Sequence, residues 1–225
     1  MNLPAALACA CALLASMATA SASRPQDPAT TMATRDRALV AAQVAALPAQ
    51  REKVTDLYAI GMAGDGTEDV FRNEAEYFTR LMQQRLHARG TIALVSHPDS
   101  VGAKPLPLAS YENLRDAVDG VARRMDRRND ILLLYLTMHG TPDHELVLNF
   151  PPYVEDALVP DDLASILDDA GIRNRVIVIS ACYSGGFIRR LQGSRSLVLT
   201  AARRDRPSFG CGSDSTATFF GRAWL

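Results

Sequence analysis

Apolar positions along the chain follow two spacings in turn, which predicts alternating strands and helices. Short runs of consecutive apolar residues are typical of strands buried on both faces, and apolar residues every three or four positions are typical of amphipathic helices. The predicted strands cover residues 56–63, 91–97, 130–139, 176–180 and 196–202. The predicted helices cover residues 36–47, 71–86, 110–125, 161–170 and 216–224. This alternation indicates an α/β domain with a mostly parallel sheet and helices on both faces.

Two of the predicted strands end in side chains that can carry chemistry. The strand at 176–180 is followed by Cys182, and the strand at 130–139 ends in His139 and Gly140. Ligands of open parallel sheets bind at the carboxyl ends of the strands, so we expect the thiol and the imidazole to converge there. A neighbouring histidine favours the thiolate and returns its proton to a leaving group. The amides of Gly140 and Cys182 are then candidates to face a developing oxyanion. Taken alone, Cys182 is equally well explained as a small buried apolar residue.

These strand ends resemble those of caspase-type cysteine peptidases, and more closely those of the legumain (asparaginyl endopeptidase) family. The resemblance extends over approximately residues 54–224 and includes DLYAIGMAGDG at 56–66 and LVLTAARRDRPSFGCGSD at 197–214. It implies a caspase-like three-layer sandwich that hydrolyses peptide or protein substrates through an acyl-enzyme, without a cofactor. Transamidases, in which an amine replaces water in the second step, would use the same two residues.

The resemblance also assigns roles to individual residues. It implies that Cys182 attacks the scissile carbonyl and that His139 acts as general acid and base. The positions that match the family's substrate-binding residues are Arg72, Ser180, Ser208 and Asp214.

Two positions depart from the family pattern. Ser180 stands where legumains of plants and animals carry an acidic residue, and Val70 stands where they carry an asparagine. A preference for asparagine in the substrate is therefore not implied. The departures also keep open a second class of function, a non-catalytic envelope-binding protein that retains the peptidase fold.

Composition excludes some other classes of function. The chain has 225 residues and a formal net charge of −1, so it suits one domain and lacks the basic excess typical of nucleic-acid-binding proteins. His144, together with His139 and Asp143, suggests a metal site. Zinc sites need three or four ligands that converge on the ion, however, and these three residues lie in a single turn. We therefore expect neither a metal nor a nucleic-acid partner.

The N-terminal segment has the pattern of an export signal. Residues 1–22 carry no charged side chain, are apolar in the middle and end in small residues, which predicts a signal peptide. Residues 23–35 are predicted from their composition to be a flexible linker, and residues 36–225 form the predicted peptidase domain. The protein is thus expected to be exported, to the periplasm or beyond.

Export would leave Cys182 and Cys211 where disulfides are permitted. A disulfide between them would leave no free thiol to act as a nucleophile. We favour a free thiol at Cys182, because the resembled family tolerates a cysteine at the second position.

The signal-peptide prediction is tested by the mass of the mature protein. We expect export to remove the segment after Ala20 or Ala22, so that the chain begins at Ser21 or Ser23. Intact-mass spectrometry of the exported protein measures this directly. Leu13→Arg, which places a charge in the apolar run, should block processing. Retention of the segment by the exported wild-type protein would contradict the prediction.

Overall fold

A computed structural model of the chain describes residues 27–209 and 215–225. Its strands are β1 (Leu57–Ala63), β2 (Gly90–Val95), β3 (Ile131–Thr137), β4 (Leu146–Phe150), β5 (Val154–Leu158), β6 (Asn174–Ser180) and β7 (Ser196–Thr200). Its helices are α1 (Pro28–Ala46), α2 (Asp69–Gln84), α3 (Pro98–Val101), α4 (Tyr111–Ala122), α5 (Pro160–Asp169), α6 (Ile188–Leu191) and α7 (Phe219–Trp224). A 3₁₀ turn, Ser184–Phe187, precedes α6.

The central sheet has the strand order β2-β1-β3-β6-β7, and all of its neighbouring strands are parallel. A parallel sheet needs a crossover between successive strands, and helices provide these crossovers. A separate hairpin of β4 and β5 follows β3 and is antiparallel. The α/β class, the mostly parallel sheet and the caspase-like architecture predicted from the sequence are confirmed.

The alternation of side chains along β3 divides the apolar interior into two layers. Leu132, Leu134 and Leu136 pack into a large cluster with residues of α1, α4 and α5. Leu133 and Tyr135 point to the opposite face, where they pack with residues of α2 and α7. A strand buried on both faces reads as a continuous apolar run, which explains why the sequence pattern identified β3 so clearly.

The prediction of a flexible linker over residues 23–35 is wrong for the part that the structure describes. Helix α1 begins at Pro28, because proline suits the first turn of a helix, where its missing N–H costs no hydrogen bond. The early turns of α1 are fixed to the domain by polar contacts. Arg35 Nη2 donates to Leu106 O at 3.0 Å, and the buried Asp36 accepts from Leu108 N at 3.0 Å.

A buried carboxylate joins α2, β3 and the segment before α7. Glu74 Oε2 accepts hydrogen bonds from Tyr135 Oη at 2.8 Å and Thr137 Oγ1 at 2.7 Å. Its Oε1 accepts from Thr218 N at 2.6 Å. Burial, reinforced by the charge of Glu74, raises the pKa of Tyr135, so the phenol remains a donor. Trp224 of α7 stacks on Tyr135 at a centroid distance of 5.4 Å, which closes this side of the core.

None of the helices in the described ranges is both long enough and apolar enough to cross a membrane.

Glu74→Ala tests the contribution of this carboxylate to stability. We expect the free energy of unfolding to fall by about 3 kcal/mol, because three buried donors would lose their acceptor. Glu76→Ala is the matched control. Within the described residues, Glu76 forms an ion pair only with Arg80 on the same helix, at 3.6 Å, so its loss should cost less than about 1 kcal/mol. Urea denaturation measures both changes. Equal effects of the two variants would contradict this account.

Candidate active site

The register between β3 and β6 places His139 and Cys182 side by side. Thr137 and Ser180, the last residues of the two strands, are paired in the parallel ladder. His139 and Cys182 each lie two residues beyond this pair. The strands stay joined past their ends, because Met138 N donates to Ser180 O at 3.3 Å. The convergence predicted from the sequence is therefore a direct consequence of parallel pairing.

Gly140 lies directly against the backbone of Cys182. A Cβ atom at position 140 would overlap the carbonyl oxygen of Cys182 and would lie 3.1 Å from its carbonyl carbon. Only glycine allows this approach without moving the turn that carries the thiol. The turn itself is tight, since Tyr183 adopts a left-handed conformation with φ of 55°.

Cys182 is a free, partly exposed thiol whose polar contacts come from Ser208. The backbone N–H of Ser208 donates to Cys182 Sγ at 3.2 Å, and Ser208 Oγ lies 3.4 Å from the same sulfur. The N–H of Ser208 is thus a donor directed at the sulfur, and in the hydroxyl contact either atom can be the donor. Ser208, predicted from the resemblance to bind substrate, thus lies beside the Cys182 thiol. Cys211 falls outside the described residues.

His139 is held by a carboxylate and an aromatic ring. Its Nε2 lies 3.2 Å from Glu68 Oε1, and Phe71 meets the imidazole edge to face at a centroid distance of 5.0 Å. Among the described residues, no hydrogen bond joins His139 to Cys182. Hydrogen bonds of this kind are often long without substrate and tighten only in the reacting complex.

The sequence analysis missed Glu68. The family resemblance placed the expected polar residue at position 70, but Val70 is buried in an apolar cluster. Glu68 directly precedes α2 and follows β1, the strand that pairs with β3. An acidic residue just beyond the neighbouring strand is the signal that would have identified it. Its second carboxylate oxygen, Oε2, is buried and has no hydrogen-bond partner in the described part of the chain.

Two backbone amides near the thiol remain unused. In the ranges that the structure describes, neither Gly140 N nor Cys182 N donates a hydrogen bond, although the residues around them pair with the β4–β5 hairpin and with the loop after β7. Val147 N donates to His139 O at 3.0 Å, for example, and Tyr183 N donates to Arg206 O at 3.0 Å. Both amides are therefore available to a ligand.

Arg72 belongs to a charged network at the ends of β1 and β2. Its Nη1 lies 2.6 Å from Asp99 Oδ2, and its Nη2 lies 3.4 Å from Asp69 Oδ2. His97 Nε2 lies 2.8 Å from Asp69 Oδ1. The hydrogen bond with His97 and the charge of Arg72 hold the pKa of Asp69 below its usual value. The guanidinium is thus already paired with two carboxylates.

The remaining predicted site residues have different surroundings. Ser180 is buried, and its Oγ lies 3.1 Å from Thr218 Oγ1 beneath α7. Asp214 lies outside the described residues. Across residues 27–209 and 215–225, no group of three or more His, Cys, Asp or Glu side chains is arranged to hold a metal ion, the trio around His144 included.

Comparison with known proteins identifies a family for the C-terminal half of the chain. The sequence profile of the Peptidase C13 family matches residues 114–225, about half of the chain, and this segment includes both His139 and Cys182. A search of curated proteins found no match. The chain belongs to the Peptidase C13 family, the legumain family of cysteine peptidases.

Proposed function

We propose that this protein is a cysteine endopeptidase in which Cys182 is the nucleophile and His139 is the general acid and base. The observation that carries the proposal is the position of the two side chains, each two residues past the paired strand ends Thr137 and Ser180. The substrate is a peptide or protein, in keeping with the family.

The first step would begin with transfer of the Cys182 proton to His139. The N–H of Ser208 stabilises the resulting thiolate, and the carboxylate of Glu68 faces the resulting imidazolium. Sulfur then attacks the scissile carbonyl carbon and forms a C–S bond, and the carbonyl oxygen takes up the displaced electron pair.

That oxyanion would be bound by the unused amides of Gly140 and Cys182. Both belong to the two backbone segments that touch at Gly140, so their N–H groups have fixed positions before substrate arrives. Donors of this kind favour the charged tetrahedral state over the neutral carbonyl, which lowers the barrier.

The acyl-enzyme would form when the C–N bond breaks and His139 gives its proton to the leaving amine. Water then replaces the amine. His139 accepts a proton from that water as the water oxygen attacks the thioester carbon. The C–S bond then breaks, the acid product leaves, and His139 returns the proton to the Cys182 sulfur. The same two residues serve both halves of the reaction.

Substrate selection at the scissile residue would involve Arg72 and Ser208. Because Arg72 is paired with Asp69 and Asp99, this region presents both signs of charge rather than a free cation. Ser208 lies against the thiol itself. We also propose that the protein acts outside the cytoplasm, on the basis of the N-terminal pattern alone.

Labelling with a thiol-reactive peptide probe tests the catalytic pair. We expect the signal-free protein to be labelled at Cys182, Cys182→Ala to be unlabelled, and His139→Ala to react at least about a hundredfold more slowly, because it has no base for the thiol. Cys211→Ala is the matched control and should label like the wild type. Failure of Cys182 to label, even after mild reduction, would rule out a working nucleophile.

Glu68 is proposed as a positioning residue that acts through His139. Glu68→Ala should lower kcat by about 10- to 100-fold with little change in KM, because it removes the partner of the imidazolium but touches no substrate. Glu68→Gln keeps a hydrogen-bonding group and should recover part of the loss, while the acidic limb of the pH–rate profile should shift relative to the wild type. Glu76→Gln, in the helix that Glu68 precedes, is the control. An unchanged pH profile in both Glu68 variants would assign Glu68 a structural role only.

A further inference from the structure

A cavity of about 840 Å³ opens beside the turn that carries Cys182. Gly185 and Gly186 of that turn form part of its wall, together with His144 and with Arg204 from the loop after β7. Neither Arg72 nor Ser208 lines it. The cavity is therefore separate from the residues that the family resemblance assigns to the substrate, and its volume suits a peptide side chain with its flanking backbone.

The wall of this cavity packs tightly against the turn that carries Cys182. A Cβ on Gly186 would overlap the ring of His144, and a Cβ on Gly185 would lie 2.8 Å from the carbonyl carbon of Arg203. Gly185 is three residues from Cys182, so their Cα atoms are at most about 11 Å apart. An extended peptide bound at the thiol spans that distance in three or four residues.

The charges that line the cavity are predominantly positive. Arg189, Arg190 and Arg204 line it, and Asp161 is the acidic residue among the lining residues that the structure describes. Arg190 is already engaged, since its Nε lies 2.7 Å from Asp161 Oδ1 and its Nη1 lies 3.6 Å from Asp168 Oδ2. In the described part of the chain, no carboxylate oxygen lies within 4.0 Å of the guanidinium groups of Arg189 or Arg204.

Among the described residues, the cavity thus offers two cations that are not paired with a carboxylate, beside an apolar wall. Val159, Pro160 and Ile188 supply that wall, which suits the methylene groups of a longer side chain. A guanidinium presents donors in a planar fork that matches a carboxylate, so the ligand chemistry indicated is a carboxylate on a short aliphatic stem.

We propose that this cavity binds the side chain of an aspartate or glutamate in the peptide substrate, within about four residues of the scissile bond. The proposal rests on the proposed peptidase function and adds a substrate class to it. Arg189 and Arg204 are the residues that determine this preference, and they act on substrate binding rather than on the chemistry at Cys182.

The test uses two degenerate decapeptide libraries that differ only in charge. One contains Asp and Glu, and the other carries Asn and Gln at the same positions; both are amidated, so that side chains supply the only carboxylates. Initial cleavage rates at low peptide concentration report the mean kcat/KM of each library. Binding to Cys182→Ser, followed by fluorescence anisotropy, reports affinity without turnover.

We expect the wild-type protein to cleave the acidic library about tenfold faster than the neutral one, and Cys182→Ser to bind it about tenfold more tightly. The double variant Arg189→Gln/Arg204→Gln should bring both ratios close to one. Arg123→Gln, an exposed arginine that does not line this cavity, should retain the wild-type ratios. Addition of 1 M NaCl should reduce the ratios, because salt screens exposed charges.

The two proposals fail in distinguishable ways. Equal cleavage of the two libraries by the wild-type protein, or a preference that survives in the double variant, would overturn the acidic subsite and leave the peptidase function intact. Cleavage of neither library, combined with tighter binding of the acidic one that depends on Arg189 and Arg204, would support the subsite and overturn the peptidase function.

Discussion

The site depends on the parallel pairing of β3 with β6. Because Thr137 and Ser180 are paired, the residues that follow them leave the sheet at the same edge, and the reactive side chains are brought together without any direct bond between them. The contact between Gly140 and the backbone of Cys182 then sets how closely the two turns approach. A one-residue slip of β6 along β3 would move Cys182 to the other face of the sheet and separate the pair.

Helix α2 supports this arrangement from a single rigid element. Glu68 directly precedes the helix and faces His139, and Phe71 in the first turn packs against the imidazole. Further along the helix, Glu74 accepts a hydrogen bond from Thr137 of β3. A buried carboxylate that satisfies three donors fixes the position of the helix, and hence the position of the groups that surround the histidine. The stability of the core and the orientation of His139 are thus coupled through one helix.

Sequence reasoning recovered the sheet and the order of its elements, because buried parallel strands leave an unambiguous apolar pattern. It also placed His139 and Cys182 at neighbouring strand ends, where the structure has them. It missed what depends on contacts between distant segments. Glu68 was missed because its partner, His139, is 71 residues away in the chain. The family pattern also placed the corresponding polar residue at position 70. The start of α1 was missed because Pro28–Arg35 has few apolar residues, and its helical state depends on bonds to residues 100–113. The cavity lined by Arg189 and Arg204 joins α6 to the loop after β7, and local patterns do not reveal such a juxtaposition.

The contacts of Thr218 have a consequence for the order in which the molecule folds. Its backbone N–H and its hydroxyl complete the bonding of Glu74 and Ser180, residues 144 and 38 positions earlier in the chain. Contacts over such separations form late, because a long loop must close before they contribute. During synthesis, the emerging chain can therefore have its thiol and its imidazole exposed while the core beneath them is still incomplete. The surroundings of the two side chains are therefore complete only after Thr218 and α7 have docked on the sheet.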